Sequence, residues 1–124
     1  MAENIPLRER RCVPCRGNVP PLSVTEVFRL VQELDGWKVV TQQSETKEFL
    51  TLQKELTFRD FRSLMDFLRR VENIAETEGH HPDFSVHYSR LHFILWTHAI
   101  GGLHENDFIM AAKIDFIYQV QRPG

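Results

Sequence analysis

The sequence predicts an α+β domain of two layers, with a four-stranded antiparallel sheet and helices packed on one of its faces. Strand-like runs occur in two neighbouring pairs, and segments of helical periodicity lie before, between and after those pairs. This order, a short helix followed by a ββαββα core, favours antiparallel pairing in a single sheet. The 124 residues and their 42% hydrophobic content suit one domain that folds on its own.

The first helix has a start signal in the sequence. Residues 1–22 are irregular and rich in arginine and proline, which predicts an N-terminal arm, and residues 23–120 are predicted to form the single domain. Ser23 and Glu26 have the spacing of a capping box, in which each side chain bonds the backbone N–H of the other residue. Apolar residues then recur at helical spacing until Asp35-Gly36 ends the helix.

Two strand pairs are predicted from the placement of apolar residues. Residues 37–41 and 48–54 form the first pair around a polar turn. Residues 84–88 alternate apolar and polar side chains, with Tyr88 as the last apolar one, which predicts a third strand with one apolar face. The fourth strand, residues 91–98, is fairly apolar on both faces. We therefore expect it to be central or to lie at a contact between subunits.

A long helix is predicted over residues 58–78, with Thr57 and Asp60 marking its start and Gly79 just beyond its end. Its apolar stripe comprises Phe58, Phe61, Met65, Leu68, Val71 and Ala75. The last helix is expected to begin near residue 103, after two glycines. The residues predicted to form its buried face are Ile109, Ala112 and Phe116.

Charge and hydropathy exclude several classes of protein. The net charge of -2 does not predict the basic face that nucleic-acid binding needs, so no nucleic-acid partner is expected. No apolar run approaches ~18 residues, and no membrane span is expected. The N-terminus lacks the apolar segment of a secretory signal. We expect a cytoplasmic protein, or an organellar one if a leader was removed.

The two cysteines, Cys12 and Cys15, form a CxxC pair in the arm. A zinc site needs about four ligands, and one pair supplies only two. A thioredoxin-like pair would lie between a strand and a helix rather than in a proline-rich arm. We expect an inert pair, with half a metal site or a redox-sensitive arm as open alternatives.

The most unusual feature is the adjacent pair His80-His81, followed at a distance by His98. Metal ligation is not expected, because adjacent side chains diverge by roughly 100° on a helix and point to opposite faces of a strand. Two interpretations stay open: a helix C-terminus that favours histidine, and proton transfer by imidazoles that titrate near neutral pH. The other histidines have no partner pattern and are expected at the surface or core edge: His87, His92 and His104.

The same residues resemble a family signature, and the resemblance covers about residues 20–118. The pattern Glu76-x3-His80-His81-Pro82-x5-Tyr88-x9-His98-x8-Asp107 looks like the motif of pterin-4a-carbinolamine dehydratases, also called 4a-hydroxytetrahydrobiopterin dehydratases. The segment THAIGGLHENDFIMAAKI, residues 97–114, resembles the strand-turn-helix part of that family. The Gly36-Trp37 pair and the apolar helix over residues 56–76 match as well.

The resemblance implies a hydro-lyase that removes water from a pterin-4a-carbinolamine to give quinonoid dihydropterin, with no metal and no cofactor. The implied catalytic residues are His80, His81 and His98. The implied substrate-binding residues are Glu76, Pro82, Trp37, Trp96, Thr97 and Asp107. By the same resemblance, Trp37 lines the site, Trp96 and Thr97 offer backbone groups to the pterin, and Asp107 holds the start of the last helix or a nearby loop.

One position departs from the family pattern. Many members carry an acid immediately before the first histidine, where this chain has Gly79. If that acid binds the pterin or tunes the histidine, this chain lacks the contact and we expect a lower affinity or rate. A glycine there also suits the residue that follows a helix.

Two other functions stay open. The chain could be a protein-binding module that acts as a dimerisation or transcriptional cofactor, as animal members of the family do. It could also be a dehydratase that acts on folate-type pterins or supports molybdopterin metabolism. A pterin is the expected small-molecule partner, and a homodimer or homotetramer is the expected assembly.

Overall fold

The computed structural model describes residues 5–15 and 17–121. The helices are α1 (Val24–Val31), α2 (Phe61–Glu78) and α3 (Glu105–Gln121), and the strands are β1 (Lys38–Gln43), β2 (Glu48–Thr57), β3 (Asp83–His87) and β4 (Arg90–Leu95). Two short 3-10 turns span Leu7–Glu9 and His98–Ile100. The predicted order of helices and strands is confirmed.

The four strands form one antiparallel sheet in the order β1-β2-β4-β3. The prediction that the fourth strand is central is confirmed, because β4 pairs with β2 on one side and β3 on the other. Both of its edges are therefore used, and it has no free edge for a second subunit. Tyr88 is not in a strand: it lies in the turn between β3 and β4 with a φ of 57°.

The core lies between the sheet and the helices. Alternate residues of β4, Leu91, Phe93 and Leu95, are buried, whereas the residues between them are half-buried. They pack with fully buried side chains that α2 and α3 contribute: Leu64, Phe67, Phe108, Met110 and Ile114. This alternation is what a strand with one face on the core requires.

Helix α2 begins later than the sequence pattern predicted. Strand β2 continues to Thr57, and the N–H of Phe58 donates to the carbonyl of Ser89, so the helix starts only after Asp60. The Asp60 carboxylate accepts from the N–H of Ser63 at 2.8 Å and caps the helix. Phe61 was assigned to the buried stripe, but it is 49% exposed. Val71 and Ala75 of the predicted stripe are buried, and the buried stripe is completed by Leu64 and Phe67, which the prediction left out.

One start signal and one end signal are confirmed, and one buried position is not. The capping box at the start of α1 is present in both directions, since Ser23 and Glu26 exchange side-chain to backbone bonds. Gly79 ends α2 in the left-handed conformation with a φ of 68°. Phe116 is half-exposed rather than buried, and the Arg8 guanidinium lies 5.2 Å from its ring centroid.

Candidate functional site

The three histidines meet in one cleft of about 310 Å³. Three chain segments form it: the end of α2 with the start of β3, the end of β4 with the 3-10 turn, and the start of α3. The N-terminal arm contributes the remaining side. The lining residues are Val13, Cys15, Gly79, His80, His81, Asp83, Trp96, Thr97, His98 and Asn106. The volume is at the lower end of the range of ~300–1,000 Å³ for small-molecule pockets.

The end of α2 places the first histidine. Gly79 turns the chain through its left-handed conformation, and the N–H groups of Gly79 and His80 both donate to the carbonyl of Ala75. These two bonds share one carbonyl of the last helical turn and fix the point where the chain leaves the helix. The side chain of His80 is thereby directed toward the first turn of α3.

Asp107 is the partner of His80. Its Oδ1 accepts from His80 Nε2 at 2.9 Å, and its Oδ2 accepts from Thr97 Oγ1 at 2.8 Å and from the His104 N–H at 2.9 Å. The Asp107 side chain is fully buried, and three donors compensate its burial. Asp107 therefore joins the first turn of α3, the Thr97 turn and the first histidine in one network.

The other two histidines also have carboxylate partners. His81 Nε2 lies 2.6 Å from Glu76 Oε2, and His98 Nε2 lies 2.9 Å from Asp83 Oδ2. Both pairs are exposed to water, and the His98 side chain is 62% accessible. Exposed ion pairs contribute little to the free energy of folding. The role of Glu76 and Asp83 is therefore to orient the two imidazole rings.

All three pairs use the same ring nitrogen. A carboxylate is only an acceptor when it is ionised, so a proton on Nε2 is required for the hydrogen bond. In the neutral ring this leaves Nδ1 of His80, His81 and His98 without a proton. Three imidazoles at one cleft therefore each have one nitrogen available to accept a proton.

The His98 ring lies at the end of an aromatic stack. Its centroid is 3.8 Å from the Trp96 ring at an interplanar angle of 17°, and Trp96 lies 4.3 Å from Phe49. Trp96 directly follows the last residue of strand β4, and His98 begins the 3-10 turn. The turn is closed by the Thr97 N–H, which donates to the Gly102 carbonyl at 2.8 Å. Together the stack and the turn restrict the His98 ring to one plane.

Some expected site residues are placed elsewhere. Trp37 is buried in the core, where it packs against Phe93 and donates from Nε1 to Asp115 at 3.0 Å, and it does not line the cleft. The N–H and the carbonyl of Thr97 both take part in its own turn, so Thr97 does not offer them to a ligand. Pro82 and Glu76 line a neighbouring groove rather than the cleft itself.

Four residues of the site were not anticipated from the sequence. Asp83 follows the histidine pair by two positions, and a carboxylate so close to HHP was a usable signal. Val13, Cys15 and Asn106 had no such signal, because the arm has no periodicity and Asn106 resembles an ordinary first-turn residue.

Burial and the nearby Glu78 carboxylate raise the pKa of the Cys12 thiol to about 12.

Over residues 5–15 and 17–121, no three His, Cys, Asp or Glu side chains are arranged to hold a metal ion. Within the same ranges, no helix has the length and apolar character that a membrane crossing needs.

Comparison with known proteins decides the family. The family described as Pterin 4 alpha carbinolamine dehydratase matches residues 20–117. The chain belongs to this family. As a member, it is an enzyme of the hydro-lyase class. A relative from Rubrobacter xylanophilus named pterin-4-alpha-carbinolamine dehydratase is 43% identical over 109 residues, which cover 88% of this chain and 95% of that protein. A relative of the same name from Nitrosospira multiformis is 42% identical over 114 residues, covering 92% and 94%.

A solved structure shows the same fold. The crystal structure titled transcriptional coactivator/pterin dehydratase from Brucella melitensis has a TM-score of 0.66 and 30% sequence identity, and the match covers 78% of this chain and 97% of that chain. Its title gives that protein a role in transcription as well as pterin chemistry. A role in transcription for that protein conflicts with the expectation, drawn from the net charge of this chain, that no nucleic acid is a partner.

Proposed function

We propose that this chain dehydrates 4a-hydroxytetrahydrobiopterin to quinonoid dihydropterin by histidine acid/base catalysis. The observation that carries the proposal is the set of three carboxylate-paired imidazoles, His80, His81 and His98, at one small cleft. A carboxylate behind an imidazole orients the ring and stabilises its protonated form, which is how a histidine becomes an effective proton carrier.

The reaction needs a base and an acid at adjacent atoms of the pterin. The base removes the proton from N5, and the electron pair of that N–H bond forms the N5=C4a double bond. The C4a–O bond breaks, and the acid protonates the departing hydroxyl group, so that water leaves. The sum is one carbinolamine converted to one quinonoid dihydropterin and one water, with no change in redox state and no cofactor.

We assign the base to His80 and the acid to His98. The buried Asp107 carboxylate lies against His80 in a poorly solvated position, where it stabilises the imidazolium that forms on proton uptake. His98 is open to water and can regain its proton from solvent after each turnover. His81 and Glu76 lie at the lip between the cleft and the groove, where they would contact the pterin.

The test follows the decay of freshly generated 4a-hydroxytetrahydropterin by ultraviolet absorbance, with a chelator present throughout. His80→Ala and His98→Ala are each expected to slow dehydration by roughly 10²-fold, the scale of a general acid or base. The matched control is His87→Ala, an exposed histidine at the end of β3 outside the cleft. Wild-type rates in both cleft variants would refute the mechanism, and loss of wild-type activity with chelator would point to a metal.

The pH profile of kcat/KM separates the two roles. A base must be deprotonated, so His80→Ala is expected to flatten the acidic limb of the residual activity. An acid must be protonated, so His98→Ala is expected to flatten the basic limb. If the limbs were lost in the opposite order, the roles of the two histidines would be exchanged.

The biological role that fits this chemistry is pterin recycling. Aromatic amino-acid hydroxylases release the pterin as its 4a-carbinolamine, and dehydration prepares it for reduction. We propose this role in the cytoplasm, and deletion of the gene would be expected to accumulate carbinolamine products in cells that hydroxylate aromatic amino acids. Unchanged pterin pools in such cells would contradict the role without touching the catalytic mechanism.

One surface supports the homo-oligomer that we propose for this chain. An apolar groove of about 650 Å³ runs between α2 and the edge strand β3, and Phe61, Met65 and Phe84 are exposed along it. The outer edge of β3 has no strand partner among residues 5–15 and 17–121. An apolar groove continuous with an unpaired strand edge suits a second copy of this chain, as homodimer or homotetramer.

The assembly is tested by light scattering after size-exclusion chromatography. Met65→Glu and Phe84→Glu place charges in the groove and are expected to shift the chain toward the monomer. Phe28→Glu, an exposed aromatic on α1 outside the groove, is the matched control. A monomeric wild-type chain would refute the assembly, and a binding-only protein would in addition show no dehydration in the absorbance assay.

A further inference from the structure

The N-terminal arm runs along the turn that carries His98. Gly17 has a φ of +82°, and a Cβ at this position would lie 3.0 Å from the carbonyl oxygen of Ala99. Farther along, Pro21 packs so closely on Gly102 that a Cβ there would lie 2.7 Å from Pro21 Cβ. The arm thus follows the 3-10 turn at van der Waals distance, and side chains larger than glycine would push the two segments apart.

The arm also has a buried anchor at the start of α3. The Val13 N–H donates to Asn106 Oδ1 at 3.0 Å, and Asn106 Nδ2 donates to the Val13 carbonyl at 2.7 Å. Asn106 is only 2% exposed. The Asn106 amide therefore hydrogen-bonds both backbone polar groups of Val13. Loss of either bond would leave a buried polar atom without a partner.

A second anchor lies next to the first. The Cys12 N–H donates to Glu78 Oε1 at 2.7 Å, and Glu78 is also 3.6 Å from Lys113 Nζ. Lys113 in turn donates to the Arg8 carbonyl at 2.8 Å. The Glu78 side chain is almost fully buried. The arm is thus held to the end of α2 and to α3 by buried polar groups, beside the cleft that holds the histidines.

We propose that Val13 and Cys15 form a fixed wall of the pterin cleft and that Asn106 is the residue that positions this wall. The proposal rests on the proposed pterin function. Both wall residues line the same cleft as His80 and His98, on the side left open by α2, β4 and α3. The double hydrogen bond to Asn106 sets the position of Val13, and Cys15 follows two residues later.

A wall of this kind acts on binding rather than on the chemical step. Neither Val13 nor Cys15 is needed for proton transfer at N5 or C4a, since the histidines supply both groups. An interaction that is equal in the ground state and the transition state changes KM and leaves kcat unaltered. The arm therefore determines how tightly, and which, pterins are held.

The first test uses the thiol of Cys15 as a reporter of occupancy. Cys12→Ser leaves Cys15 as the single cysteine of the 124 residues, and it removes a half-buried thiol whose pKa is raised. Biopterin at ten times its Kd should slow alkylation of Cys15 about tenfold, because only about one molecule in eleven stays unoccupied. Adenosine at the same concentration is the control ligand. Binding of biopterin, measured by fluorescence, without protection of Cys15 would overturn the proposal.

The second test uses kinetics on the full-length chain. Cys15→Phe fills the cleft from the arm side, and Asn106→Ala releases the wall. Each is expected to raise KM for the carbinolamine by roughly tenfold with kcat nearly unchanged. The control is Lys54→Met, which breaks the Lys54–Asp115 ion pair far from the cleft and lowers stability without touching the arm.

The outcomes separate this proposal from the function on which it rests. If the wild-type chain neither binds biopterin nor dehydrates the carbinolamine, the proposed function fails and the wall fails with it. If the wild-type chain is active but Cys15→Phe and Asn106→Ala keep wild-type KM, only the wall is refuted. If Asn106→Ala lowered kcat only as much as Lys54→Met does, the two hydrogen bonds of Asn106 to Val13 would serve folding alone.

Discussion

Asp107 Oδ1 lies 2.9 Å from His80 Nε2, and the carboxyl group that makes this contact is completely buried. The same carboxyl group accepts from Thr97 Oγ1 and from the His104 N–H. A residue that looked like a first-turn helix carboxylate is therefore the centre of a network around the most buried histidine of the cleft.

This relationship predicts a strong effect of a small change. Asp107→Asn keeps the size of the side chain but leaves one acceptor oxygen where the network uses two, so an NH₂ group faces either His80 Nε2 or the donors of Thr97 and His104. The His80 ring is then expected to change tautomer or orientation, and kcat should fall by roughly 10²-fold, a general base's contribution. The measurement is the decay of the carbinolamine, with a thermal melt to confirm folding.

The matched comparison is Asp83→Asn, which changes the exposed partner of His98 in the same way. Water competes for both groups of that pair, so the expected loss of kcat is smaller than for Asp107→Asn. An equal loss in the two variants would mean that burial of Asp107 is not what makes its contact with His80 effective.

The stack of Trp96 on His98 predicts a second effect on kcat. Trp96→Ala removes the ring that restricts the His98 plane, and aromatic pairs are worth about 0.5–1.5 kcal/mol, so kcat should fall up to roughly tenfold. Trp96→Phe keeps a ring at the position and should restore most of the rate. A rise in KM alone in the alanine variant would show that Trp96 contacts the pterin instead of orienting His98.

Gly79 offers a test of the departure from the family pattern. It lines the cleft, and a Cβ at this position would meet no atom within 4 Å. Gly79→Ala and Gly79→Asp both place a side chain on a left-handed residue, which costs about 1–2 kcal/mol. The aspartate also restores an acid beside His80, so its KM is expected to be lower than that of the alanine variant. Equal KM values would mean that the acid has no role in this cleft.

The helix cap at Asp60 predicts a pH dependence of stability. The Ser63 N–H, which donates to the carboxylate, holds the pKa of Asp60 below its usual value. A lowered pKa in the folded chain means that the cap stabilises above the unfolded pKa of about 3.9 and is lost as the pH falls through the folded value. The Tm difference between wild type and Asp60→Ala should therefore be complete at neutral pH and shrink in acid.

The control for this prediction is Asp60→Ser, which also caps the helix but does not titrate. Its Tm difference from Asp60→Ala is expected to stay nearly constant from neutral to acidic pH. Parallel behaviour of the aspartate and serine chains would show that ionisation of Asp60 does not contribute to the stability of α2.

The sequence predicted most of the fold because the signals involved are local. Period-two runs gave the strands, the apolar character of both faces placed β4 in the centre, and the capping box and Gly79 fixed two helix ends. The predicted start of α2 was wrong because strand β2 continues to Thr57, a residue that suits both a strand and a helix start. Only the bond from the Phe58 N–H to the Ser89 carbonyl decides between the two.

The sequence by itself determined the family, the order of the elements and the presence of three histidines near the end of a helix and a strand. The tertiary structure alone decided their partners. His80 and Asp107 are 27 positions apart, and Val13 and Asn106 are 93 apart. Such contacts depend on how α3 and the arm pack on the sheet, and no periodicity along the chain encodes them. The same packing buried Trp37 in the core and brought Cys15 to the cleft.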